Sequence, residues 1–149
     1  MTLLSIRDLS IALPLGADRL YAAKDINFDL ASGEILCIVG ESGSGKSMSA
    51  NAVMGLLPQG VEPDSGSITF DGQSILDLSE NELLKLRGSR ISMIFQEPLS
   101  ALNPLMRVGA QIAEVFEAHG ALTGAERRAR ALKLLDEVGI PDPEAAIRA

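Results

Sequence analysis

Residues Glu34–Leu57 read EILCIVGESGSGKSMSANAVMGLL, and inside them Gly40–Ser47, GESGSGKS, fit the pattern Gly, four free positions, Gly-Lys-Ser. Gly40, Gly43 and Gly45 let the backbone turn through positive φ and come close to a ligand. The N–H groups from Ser42 to Met48 can then form an anion-binding concavity. Lys46 brings a point positive charge for outer phosphates, and the Ser47 hydroxyl suits a magnesium ion bridging them. Upstream, Glu34 to Val39 is a short apolar run expected to form a buried strand, with Cys37 as a small buried hydrophobe. Downstream, Lys46 to Leu57 lacks proline and reads as a helix, with Pro58 just beyond. Strand, glycine loop and helix in that order are the context in which the motif binds a nucleoside triphosphate, with the helix dipole adding to the anion site.

The chain has 149 residues, which fits one domain, and 46% apolar residues, enough for a core. A formal net charge of −7 argues against a general nucleic-acid or anionic-membrane binder. A single cysteine allows no disulfide within the chain. Arg7 and Asp8 come too early for a signal-peptide core, and no apolar run is long enough to span a bilayer.

Outward from the motif, Thr2 to Leu13 reads as one or two strands, 15–23 as a loop, and Asp25 to Leu30 as a half-buried strand with Ile26, Phe28 and Leu30 on one face. Gln59 to Ser67 reads as a loop. Ser67 to Phe70 is a short strand closed by Asp71-Gly72. Ser79 with Glu82, and Thr123 with Glu126, form capping boxes for helices ending near Arg87 and Val138. Arg90 to Phe95 is expected as a strand and Met106 to Ala118 as a helix. Arg127, Arg128 and Arg130 read as a solvated helix face, and His119 as a solvated helix-end residue.

GESGSGKS taken with ISMIFQEPLSALNPLMRVGAQIAE (Ile91 to Glu114) and DEVGIPDP (Asp136 to Pro143) resembles the ATP-binding subunit of ABC transporters, most like the dipeptide/oligopeptide import group. The resemblance runs from the first strand to Pro143. It implies an α/β fold: a P-loop NTPase core of ABC ATPase type with an N-terminal antiparallel β subdomain, residues 1–149 forming the N-terminal part of a nucleotide-binding domain. It implies ATP and Mg²⁺ as cofactors. Gly40, Glu41, Ser42, Gly43, Ser44, Gly45, Lys46, Ser47 and Met48 match its ATP-binding positions, and Ser47 and Gln96 its metal contacts. Tyr21, the one aromatic residue before Phe28, is the candidate to stack on adenine, against the alternative of a plain surface tyrosine.

The resemblance also implies partners: a second ATP-binding subunit, and transmembrane permease subunits meeting the loop after Gln96, at the cytoplasmic side of the membrane. Leu99, Leu102, Leu105 and Met106 on that proline-containing loop either dock the permease or fold back on the core. The LSGGQ-like signature, the Walker B Asp and Glu and the switch histidine of the resemblance fall after Ala149, so these residues alone are expected to lack the hydrolytic groups. Other readings are a non-catalytic nucleotide-binding fragment and another P-loop enzyme such as a small-molecule kinase.

Overall fold

The structure is a computed structural model that describes residues 1–96, 102–120 and 122–149. The chain divides into two compact units, Met1–Arg87 and Gly88–Ala149.

The first unit is built on a four-stranded antiparallel sheet. Its strands are β1 (Thr2–Ala12), β2 (Tyr21–Ala31), β3 (Glu62–Phe70) and β4 (Gln73–Ser74), in the order β2-β1-β3-β4. β1 is central because it buries Ile6, Leu9 and Ile11 completely. Ile6 and Leu9 are three residues apart, which strict alternation would put on opposite faces. A register shift between them, with Asp8 at φ 47°, resets the pleat. Asn27 fixes the shift by accepting from the Asp8 N–H (2.9 Å) and donating to the Asp8 carboxylate (3.0 Å). β2 keeps the expected alternation of half-buried Ile26, Phe28 and Leu30 with exposed Asp25, Asn27 and Asp29, but starts four residues earlier than Asp25. β3 is longer than expected and absorbs 62–66, read above as loop. Its pairing with β1 outweighs the turn-forming Pro, Asp, Ser and Gly content of that stretch. Asp71 and Gly72, both at positive φ, make the tight turn into β4.

Helix α1 (Lys46–Met54) packs on β2. It stops at Gly55, which caps it in the left-handed conformation, three residues short of Leu57. Helix α2 (Glu80–Leu86) begins at the Ser79–Glu82 capping box. Arg87 closes this region by donating from Nε to the Met54 carbonyl (2.8 Å) and pairing with Glu80 (2.6 Å).

Two expected strands are absent. Residues 34–39 and 92–95 make no strand, and Cys37 is exposed rather than buried. A strand is defined by a hydrogen-bonded neighbour, and apolar composition supplies only the side-chain half of that requirement. Ile35 and Val39 each stand 91% exposed and Ile94 93%.

The second unit is helical: α3 (Val108–His119), α4 (Gly124–Glu137) and α5 (Pro143–Ala146). Ala131, Leu135 and Ile147 form its core, with Ile112, Phe116, Leu132 and Ala146 packed around them. Val138, near which α4 was expected to end, is exposed, because the helix stops at Glu137 and Gly139 turns the chain away at φ 77°. Arg127 and Arg128 are paired rather than merely solvated, with Glu117 and Glu144 respectively. His119 is exposed at the end of α3, as expected.

Candidate functional site: a glycine loop at a bare helix N-terminus

The loop Gly40–Ser47 enters α1 through Gly45, at φ 91°, and Gly43 turns at φ 78°. Gly45 is required for close approach as well as for its φ. A Cβ there would sit 2.7 Å from both the Ala22 carbonyl oxygen and the Ala23 Cβ. The loop therefore lies against the start of β2 with no room for a side chain. Ser49, buried one turn into α1, donates its hydroxyl to the Gly45 carbonyl (3.0 Å) and locks the entry.

No side chain caps α1. The first helical N–H groups, on Lys46, Ser47 and Met48, have no carbonyl one turn earlier to bond, and they carry the positive end of the helix dipole. Lys46 folds back over the loop. Its ammonium donates to the carbonyls of Gly40 and Glu41 (2.7 Å each) and lies 3.3 Å from the Ser44 hydroxyl. The loop thus gathers the Lys46 ammonium and several N–H groups at a helix end that no side chain caps. The Ser47 hydroxyl is exposed at the same helix end, free to meet a cation that an anion brings with it.

A cavity of about 530 Å³ adjoins the loop, lined by Leu36–Val39, by Asp25–Phe28 of β2 and by Gly40, Ser44–Lys46 and Ser49. Its walls are mainly the apolar run and it includes the carboxylate-bearing Asp25. The glycine loop is its rim, and the bulk of the cavity is unsuited to an anion.

Tyr21 begins β2, directly before the two alanines that contact Gly45. Its hydroxyl donates to Asp64 on β3 (3.1 Å), and this raises its pKa, since the neighbouring carboxylate opposes a phenolate. The Lys24 ammonium stands 5.6 Å from the ring centroid. A neighbour of the loop that the sequence does not single out is Arg19, which donates from Nη1 to the Gly43 carbonyl at 2.8 Å. No motif flags an isolated arginine in a surface loop.

Gln96 belongs to the second unit and is exposed at a bend. Of the loop after it, Pro98 and Leu99 lie outside the described residues. Leu102 is 48% exposed and Leu105 93%. Leu102 borders a groove with Val108, Ile112, Val115, Phe116 and Leu134.

The profile of the ABC transporter family matches residues 23–148. The chain belongs to the ABC transporter family. Among curated ABC proteins, it is 49% identical over 148 residues to the peptidoglycan transport ATP-binding protein YejF of Agrobacterium fabrum, covering 99% of this chain and 27% of that one. It is 47% identical over 140 residues to the oligopeptide transport ATP-binding protein OppD of Escherichia coli, covering 94% of this chain and 41% of that one. The chain thus spans well under half the length of these relatives. Among solved structures, the dimeric ATP-binding cassette MJ0796 in a post-hydrolysis state with ADP and Pi matches with a TM-score of 0.80 and 30% identity. That match covers 97% of this chain and 61% of that chain. The ABC ATPase fold and its N-terminal antiparallel sheet are therefore those expected from the sequence. No described helix is long and apolar enough to cross a membrane.

Proposed function

We propose that this chain is the nucleotide-binding front part of an ABC import ATPase that couples ATP binding and hydrolysis to uptake of peptides or similar small solutes. The observation that carries the reading is the uncapped N-terminus of α1, with Lys46 folded beside it and Gly45 pressed on β2. The relatives' names, which join peptide transport to ATP binding, support peptides as the solute class.

In this reading the N–H groups of 42–48 wrap the phosphates and Lys46 exchanges its loop carbonyls for phosphate oxygens. Glu41 sits on the exposed side of the cradle, and Gly40, Gly43 and Gly45 shape it. Ser47 and Gln96 would hold Mg²⁺, which neutralises charge on the phosphates when bound. Tyr21 offers its ring to the adenine while its hydroxyl stays on Asp64. A second ATP-binding subunit completes the site, and the permease meets the loop after Gln96, so that the protein works as a peripheral subunit on the cytoplasmic face of the membrane.

Hydrolysis also needs an oriented water, and no residue among these 149 is assigned to that task. Residues 1–149 alone are therefore expected to bind ATP without turning it over.

Calorimetric titration with ATP tests the reading. Lys46→Ala is expected to weaken binding by about tenfold or more, the scale of one lost charge-assisted contact. Equal affinity for the two proteins would show that the loop is not the phosphate site. ATPase turnover by pure residues 1–149 that vanishes in Lys46→Ala would overturn the expected inactivity.

A further inference from the structure

We propose that Arg19 is a second phosphate-contacting cation of this site, supplied from outside the motif by the β1–β2 connection; this rests on the reading of Gly40–Met48 as a nucleotide site. The connection is not a loose loop. The Leu13 N–H donates to the Leu20 carbonyl (2.9 Å) and the Ala17 N–H to the Pro14 carbonyl (3.2 Å), with Gly16 turning at φ 94°. This closed turn delivers Arg19 to the glycine loop, where Nη1 holds the Gly43 carbonyl at 2.8 Å. Nη1 and Nη2 lie 3.7 and 3.9 Å from the point a Gly43 Cβ would occupy, so the guanidinium lies along the loop and a side chain at residue 43 would meet it.

Charge and donor inventory separate Arg19 from Lys46. Each of the Lys46 ammonium's three contacts is already made to the loop itself, and within the loop Glu41 cancels its charge. A polyphosphate would then meet a loop whose formal charge sums to zero, with Lys46 and the N–H groups as its attraction. Arg19 adds one positive charge at the rim. It has five N–H donors, of which the bond to Gly43 uses one, and the rest form a planar fork suited to phosphate oxygens. A lysine at the same place would keep the charge and lose the fork. Arg19 is exposed, so its donors are open to a ligand in solution.

The test uses the full chain, with ATP and inorganic tripolyphosphate as probes, titrated over a salt series. Arg19→Gln is expected to weaken both probes by about tenfold and to flatten the loss of affinity with salt, because one screened charge is gone. Arg19→Lys is expected to keep the salt dependence and recover only part of the affinity. Wild-type affinity and salt dependence in Arg19→Gln would overturn the proposal. So would a loss of thermal stability in Arg19→Gln with an unchanged salt dependence, which would make Arg19 a latch for the loop and nothing more. Lys46→Ala distinguishes the two levels. If it also binds both probes normally, the phosphate site itself is misassigned; if it fails while Arg19→Gln binds normally, only the role of Arg19 falls.

Discussion

Gly45 carries two demands at one position. Its φ of 91° lies where side chains are rarely tolerated, and the space for a Cβ is already filled by Ala22 and Ala23. Gly45→Ala is expected to cost about 1 to 3 kcal/mol of stability and to push the loop off β2, lowering ATP affinity with it. Urea unfolding and calorimetry on one preparation check both effects; a variant with normal stability and normal binding would show that the close approach is dispensable. Tyr21 separates two contributions differently. Tyr21→Phe removes the bond to Asp64 but keeps the ring, so it is expected to lower stability and spare ATP affinity. Tyr21→Ala is expected to cost a further 1 to 3 kcal/mol of adenine binding, roughly the scale of base–aromatic stacking. Equal ATP affinity in the two variants would make Tyr21 a purely structural tether. The sequence alone brings Tyr21 forward as an aromatic residue, but it is silent on Asp64, because a contact from β2 to β3 across β1 depends on strand order.

The helices that were legible in the sequence are those with their own start signals. Both capping boxes form: Thr123 accepts from the Glu126 N–H, and Glu126 and Glu82 reach back to the cap backbone N–H groups at 2.8 Å. Thr123→Ala is therefore expected to cost about 1 kcal/mol. These bonds hold the Glu126 and Glu82 carboxyls below the usual range, the side-chain bonds to Thr123 and Ser79 contributing most. Arg128 does the same for Glu144 and Arg7 for Asp29. A carboxyl whose pKa is lower folded than unfolded stabilises the fold fully above the unfolded value, about 4, and loses that contribution as pH falls through the folded value. Stability is thus expected to be flat near neutrality and to decline below about pH 4, and Glu126→Gln should shallow that decline. Urea midpoints at several pH values give the answer; an unchanged acid slope in the variant would dissociate the cap from acid sensitivity. The illegible elements were the runs 34–39 and 90–95. Their composition is that of buried strands, yet pairing is a property of two segments, and no described segment pairs with 34–39. Local signals read caps and turns; they do not read partners.

At the scale of the whole molecule, the proposed role requires a nucleotide site to report to a membrane partner. The loop after Gln96 was expected either to fold back on the core or to dock a permease. Leu105 is 93% exposed, and no apolar group buries it among the described residues, so for this residue burial gives the fold-back alternative no support. Leu102 is different, half-exposed on the rim of the α3 groove beside Ile112 and Phe116. The nearby backbone is well fixed: Gln111 accepts from the Asn103 N–H (2.9 Å) and donates to the carbonyls of Asn103 and Met106 (3.0 and 2.9 Å). A leucine presented to water on a braced turn is a contact in search of a partner, and a permease helix is the partner our reading supplies. Leu105→Asp in the full-length protein is therefore expected to leave unfolding midpoint and ATP affinity unchanged while abolishing co-purification with the permease and solute uptake. Leu102→Asp is expected to do the same with a modest stability loss, because it also borders the groove. If Leu105→Asp unfolds the free subunit, the residue is core in the longer protein; if it leaves assembly and uptake intact, the permease docks elsewhere and this loop does not carry the signal from Gln96.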